Sequence, residues 1–151
     1  MITVEPLENR PELVPVCARW NFHEWGQAYG RTMEQTVDAL MPMLDPDSRQ
    51  KAFVALVSGI PSGLVLLIDN DLDSHEHLTP WLASLYVAPA FRNKGIGKQL
   101  IAAAEAAARS QGHEELYLYT DKPDYYRSVG WQPQEELAGE NQGMTILNRN
   151  L

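Results

Sequence analysis

The chain has 151 residues, 44% of them hydrophobic and 21% charged, a balance that fits one globular domain spanning residues 1–151 and is too short for two ordinary ones. Its net charge of −8 argues against general nucleic-acid binding, which needs a basic footprint. An acidic surface leaves room for a cationic or amine substrate.

Residues 2–5 (ITVE) read as a first strand. Asn9 and Glu12 form an N-x-x-E pattern with Pro11 inside it, which predicts a helix start. Leu13, Val16, Cys17, Trp20 and Glu24 then share one helical face, widened by Phe22 and Trp25. Gly26 and Gly30 loosen the chain beyond that helix. Thr32 and Gln35 make a second capping-box pattern before a helix ending near Leu44, and DPDS at 45–48 marks a turn.

Two apolar, β-prone runs come next, 51–58 (KAFVALVS) and 62–69 (SGLVLLID), joined through GIPSG as a hairpin with a loop of a few residues. The stretch DNDLDSHEHLTP is polar and turn-like. A fourth strand, 81–88 (WLASLYVA), stops at Pro89, and a helix runs from about Gly95 to Gly112. ELYLYT at 115–120 alternates Leu116, Leu118 and Thr120 against Tyr117 and Tyr119, the pattern of a fifth strand. A short helix at 123–129 precedes Gly130 and Trp131, and strands at 131–136 and 144–148 flank the turn GENQG. Strand, helix and strand between 81 and 120 require a parallel crossover, while the hairpins on either side are antiparallel. The expected class is therefore α/β, a mixed sheet of about seven strands with helices on both faces.

Cys17 is the only cysteine, so no intramolecular disulfide can form. MITVEPLENR lacks the basic and apolar regions of a signal peptide, and no apolar run approaches the ~18 residues of a membrane span. The expectation is a cytoplasmic protein that avoids membranes. The sequence leaves the oligomeric state open, a homodimer included.

The stretch that carries chemistry is WLASLYVAPAFRNKGIGKQL. Arg92 and Lys94 put charge near a helix start. Gly95 and Gly97 remove side chains where backbone must approach an anion, and free N–H groups with the positive end of the helix dipole favour a phosphate there. Leu100 stands where a dinucleotide fingerprint needs its third glycine, and Gln99 where a P-loop needs Ser or Thr. The bland alternative is a glycine-softened turn with solvated cations. Elsewhere, DNDLDSHEH fails as a calcium loop, since Ser74 replaces the needed glycine and Pro80 the terminal glutamate. His75 and His77 are too few for zinc, so no metal is expected and the segment reads as a solvated loop beside the fourth strand.

Taken whole, L-Y-V-A-P-A-F-R-N-K-G-I-G resembles the central R/Q-x-x-G-x-G/A motif of the GNAT acetyltransferases, and D-Y-Y-R-S-V-G-W resembles their downstream x-Y-x-x-x-G-F/W segment, in the family's order. The resemblance implies the GNAT fold and a loop, Arg92, Asn93, Lys94, Gly95, Ile96 and Gly97 with Lys98 following, that wraps the pyrophosphate of acetyl-CoA. It implies that Leu85, Tyr86 and Val87 offer backbone to the pantetheine arm, on a strand often bulged and splayed from its neighbour. Tyr126, at the family spacing from Gly130, would protonate the leaving thiolate, with Tyr125 as the other candidate. The family's usual strand-borne carboxylate is missing, since Ala83 and Ser84 occupy that neighbourhood. The general base stays open between Glu24, beside His23, and a water chain or an amine that enters neutral. Cys17, on the apolar side of a helix with no basic partner, reads as a small core residue.

The implied activity is transfer of an acetyl group from acetyl-CoA to a primary amine of a small molecule or a peptide N-terminus. A catalytically silent acyl-CoA-binding module and a nucleotide-binding domain unrelated to CoA are the competing readings.

Overall fold

The computed structural model describes residues 1–151. Its strands are β1 (Ile2–Pro6), β2 (Lys51–Val57), β3 (Ile60–Ile68), β4 (Trp81–Val87), β5 (Glu115–Thr120), β6 (Gln132–Glu136) and β7 (Thr145–Asn150). Its helices are α1 (Val14–Asn21), α2 (Met33–Leu40), α3 (Ile96–Ser110) and α4 (Pro123–Arg127). The strands form one seven-stranded sheet in the order β1-β2-β3-β4-β5-β7-β6. All neighbours are antiparallel except β4 and β5, the pair joined across α3. The mixed α/β sheet expected from the alternation of elements is the one found.

Alternation within each strand sends side chains to two different cores. Val65, Leu67, Leu82, Leu116, Leu118 and Leu147 face α3, meeting Ile96, Leu100, Ile101, Ala104 and Ala108. The alanines let that helix lie close to the sheet. On the opposite face Val54, Leu56, Leu64, Leu66 and Ala83 pack on Val14, Cys17 and Ala18 of α1 and Leu40 of α2. Farther along the sheet, Leu72 and Leu78 of the β3–β4 connection close over Trp81 and Ile146.

Several local expectations are corrected. No capping box forms at Asn9. Residues Leu7–Asn9 and Pro11–Leu13 are 3₁₀ turns, Glu12 instead accepts from Arg10 Nε at 3.2 Å, and α1 begins at Val14 with Pro15 in its first turn. The buried face of α1 is Val14, Cys17, Ala18 and Asn21, whereas Glu24 is exposed in a π-helical turn, Phe22–Gly26. The capping box at Thr32 and Gln35 is present, but α-helical geometry stops at Leu40 and a 3₁₀ turn, Met41–Leu44, with Pro42 inside it, completes the segment. The β2–β3 hairpin turns on Ser58 and Gly59 alone, both with positive φ (50° and 83°), so Ile60 and Pro61 belong to β3. Two positive φ values match a type I′ turn, whose twist suits the strands better than a longer loop. The 70–79 connection is less solvated than its composition suggests, because two leucines anchor it.

Candidate active site

The site arises from a defect in the sheet. Along β3 and β4, Leu64 faces Tyr86 and Leu66 faces Ala83, so Val65 stands opposite both Ser84 and Leu85. That extra residue is a β-bulge, and Ser84 carries it at φ 54°. Asn21, buried at the end of α1, donates from Nδ2 to Ser84 Oγ at 2.8 Å and so braces the bulge from the second face. β4 leaves β5 even before the bulge. Only Trp81 pairs with Tyr117, and the strands diverge past that point. The freed backbone of Leu85, Tyr86 and Val87 lines the opening.

The wedge widens into a cleft of about 930 Å³. One wall is the turn into α3. Asn93 and Gly95 both take positive φ (64° and 80°), and no side chain caps the helix. The N–H groups of a first helical turn have no intrahelical acceptor, so an uncapped, glycine-opened end presents them to the cleft. At Gly97 a Cβ would stand 2.6 Å from Tyr125 Oη, so a side chain there would have to push the Tyr125 ring aside. Arg92 is tied back onto the strand: its Nε donates to Val87 O at 2.8 Å and its guanidinium lies 5.7 Å from the Tyr86 ring centroid. None of the ion pairs engages Arg92, Lys94 or Lys98, so their charge is available to a ligand.

The next wall is α4. Its placement depends on Trp131, whose indole N–H donates to Glu105 Oε2 of α3 at 3.1 Å and whose ring meets Tyr126 edge-on with centroids 6.3 Å apart. Tyr126 is half-buried, with Tyr125 against it at 5.1 Å, and burial pushes its phenol pKa up, with the charges of Tyr125 and Asp121 adding to the effect. Tyr125 is more exposed, and burial raises its pKa too.

The far wall comes from the other face of the sheet. Glu24 and Trp25 of the π turn, Tyr29 and Arg31 of the connection into α2, Asp71 of the β3–β4 connection and Tyr119 of β5 line it. Burial of the Asp71 carboxyl lifts its pKa to about 7, and the Arg31 guanidinium opposes the rise. Tyr119 is pushed up to about 12 by burial, then by the Asp71 charge.

Of the residues singled out by sequence, Glu24, Leu85, Tyr86, Val87, Arg92, Asn93, Gly95, Ile96, Gly97, Lys98 and Tyr126 all border this one cleft. Lys94 does not line it and stands exposed at the turn's outer side. Cys17 is fully buried, and burial raises its thiol to about 12, as a core residue's would be. No group of three or more His, Cys, Asp or Glu side chains could hold a metal ion. Sequence reading missed Asp71, Arg31, Tyr119 and Asn21. The one available signal was a carboxylate-rich segment leading into the bulged strand.

A bulged β4, splayed from β5, and an uncapped glycine turn thus share one cleft. A family model described as the acetyltransferase (GNAT) family matches residues 12–131, and the chain belongs to that family. The mouse protein N-alpha-acetyltransferase 80 is 28% identical over 149 residues, covering 94% of this chain, which spans 44% of that relative's length. An aminoglycoside 6'-acetyltransferase type Ii shares the fold at TM-score 0.75 and 19% identity, with 99% of this chain and 96% of that one covered. An aminoglycoside 6'-N-acetyltransferase complexed with coenzyme A superposes at TM-score 0.76 and 16% identity, with the same coverage of both chains. No helix is long and apolar enough to cross a membrane.

Proposed function

We propose that the cleft binds acetyl-CoA across the β4–β5 wedge and passes its acetyl group directly to a primary amine, of a small molecule or a peptide N-terminus, in a ternary complex. The observation that carries this reading is the meeting of the glycine turn, the bulged strand and Tyr126 in one cavity. On it, the N–H groups from Gly95 to Lys98, helped by Arg92 and Lys98, hold the pyrophosphate, and Leu85 to Val87 align the pantetheine arm as an added strand would be aligned. The name of the mouse relative and those of the two aminoglycoside enzymes support the two acceptor classes named.

The amine nitrogen attacks the thioester carbonyl carbon, an oxyanion forms, and the C–S bond breaks. Backbone N–H groups freed by the bulge suit the oxyanion. Tyr126 suits the sulfur: burial keeps its phenol protonated as a donor, and the charge that builds on the departing sulfur draws the proton across. Glu24, exposed at the far wall, is one acceptor for the ammonium proton, and a water chain is the other.

Free thiol released from acetyl-CoA with a panel of peptides and amines, with mass detection of the acetylated product, tests the reading. Acetyl-CoA binding with no thiol release from any amine, and no response to Tyr126→Phe, favours a silent binding module instead. Stabilisation by ATP or NAD rather than acetyl-CoA sinks both; a ligand at 100 times its Kd adds ~2.7 kcal/mol.

A further inference from the structure

We propose that Asp71 is the group that meets the acceptor's ammonium and takes its proton, an inference that rests on the transfer reaction read above. The β3–β4 connection has no secondary structure at this point, yet it is not free. Leu72, directly after Asp71, is buried with Leu78 against Trp81 and Ile146, which fixes the loop on the sheet. The preceding residue, Asp71, is thereby held at the cleft wall, half-buried, on the side of the wedge away from α3. It makes no side-chain hydrogen bond and no ion pair within the protein. A carboxylate placed so, with lone pairs unspent, is a receptor for a cation.

The surrounding charges fit that use. Arg31 and Tyr29 face it from the connection into α2, Tyr119 from β5, and Glu24 lines the same wall from the π turn. Arg31 keeps the carboxyl from rising further, so Asp71 titrates near neutrality rather than staying locked as the acid. A base poised there is matched to an α-amine, whose proton it must accept and release each cycle. Glu24, exposed on the same wall, is then an attracting charge rather than the base.

Every proton in the cycle has a donor and an acceptor. The ammonium gives one to the Asp71 carboxylate, which returns it to solvent. The neutral nitrogen attacks the thioester carbon, the second N–H proton leaves as the adduct collapses, and the sulfur departs as a thiol with the Tyr126 proton. Solvent carries the second proton back to Tyr126.

The test is the pH profile of kcat/KM between pH 5.5 and 9.5, read by thiol release with Ala-Ala-Phe amide and tyramine as probes. The wild-type profile should show an acid limb near pH 7. In Asp71→Asn, kcat/KM at pH 7 should fall at least 30-fold, the limb should vanish, and the remaining rise should track the probe's own amine. The acetyl-CoA thermal shift should stay unchanged. Asp71→Glu should restore a limb, and Arg31→Gln should move it to higher pH; both remain informative if Asp71→Asn fails to fold. Asp71→Asn within threefold of wild type with its limb intact overturns the proposal and leaves the transferase reading standing. A wild-type protein that binds acetyl-CoA and acetylates neither probe at any pH brings down that reading, and this one with it.

Discussion

The α3 end of the cleft is made chiefly of backbone, whereas the Asp71 end is made of side chains lent by connections. At the α3 end the shape comes from positive φ at Asn93 and Gly95, from the missing Cβ of Gly97, and from the uncapped helix. These are local consequences of consecutive residues. At the other end Glu24, Arg31, Asp71 and Tyr119 come from four separate segments and meet only because α1, the β3–β4 connection and β5 pack on one face. A backbone-built end keeps its shape when neighbouring side chains are exchanged, whereas an end built of side chains changes with each substitution. On the proposed reading, that is the division between donor and acceptor.

The comparison breaks most visibly at the residue between the two ends. Tyr126→Phe removes a single hydroxyl from a ring held by Trp131, so it should lower kcat by roughly 10²–10⁴-fold while acetyl-CoA affinity and melting temperature stay near wild type. A loss confined to affinity would assign Tyr126 to packing and return attention to Tyr125. Next in size is Gly97→Glu. Its side chain and charge enter the turn against the Tyr125 hydroxyl, and acetyl-CoA affinity should drop about 100-fold, some 2.7 kcal/mol. Isothermal titration measures this, and unchanged affinity would break the assignment of the backbone end. Charge reversal at Arg92, which is tied to Val87 and Tyr86, should weaken acetyl-CoA by about 10-fold more than reversal at Lys98, and equal effects would argue against the turn as a pyrophosphate site.

The bulge joins the two ends, and its brace can be cut. Asn21→Leu leaves Ser84 without its partner and puts an apolar group against a hydroxyl, which should cost about 1–3 kcal/mol by denaturant titration. Catalysis should fall as well, because β4 would be free to pair regularly along β3. A stable Asn21→Leu protein with full activity would show that the φ 54° at Ser84 is maintained by the strand itself.

Much of this was legible in the chain, and the reason is locality. The alternation in β5 and the glycine turn into α3 each depend on spacing within a dozen residues, and each is present as read. The misreadings share the opposite cause. Asn9 and Glu12 have the right types for a cap, but Arg10 competes for Glu12 and the chain turns twice in 3₁₀ geometry before α1. Ser58 carries positive φ that its residue type does not announce. Asp71 sits in a segment whose polarity hid two buried leucines, and its neighbours Arg31 and Tyr119 are distant in sequence. Side chains that meet only through tertiary packing leave no periodic signal.

The smallest expected effect bears on what the Asp71 end costs the fold. Burial raises the Asp71 carboxyl from an ordinary 3.8 to about 7, so between those values the folded chain keeps a proton that the unfolded chain has released. Stability from this group is therefore complete below pH ~4 and is lost as pH rises through about 7. The full difference would be at most about 4 kcal/mol, and water reaching a half-buried carboxyl reduces it to roughly 1 kcal/mol. Asp71→Asn has no such proton to lose. It should match wild type near pH 4 and melt higher at pH 8, by ~2–4 °C per kcal/mol for a chain of this size. Differential scanning calorimetry across that window reads it. A variant that melts lower at pH 8 would make Asp71 a satisfied structural anion, and the contrast between the ends would lose its energetic half. A variant that is more stable yet slower would show that this end of the cleft holds its carboxylate against the fold's own preference, which the backbone-built end has no need to do.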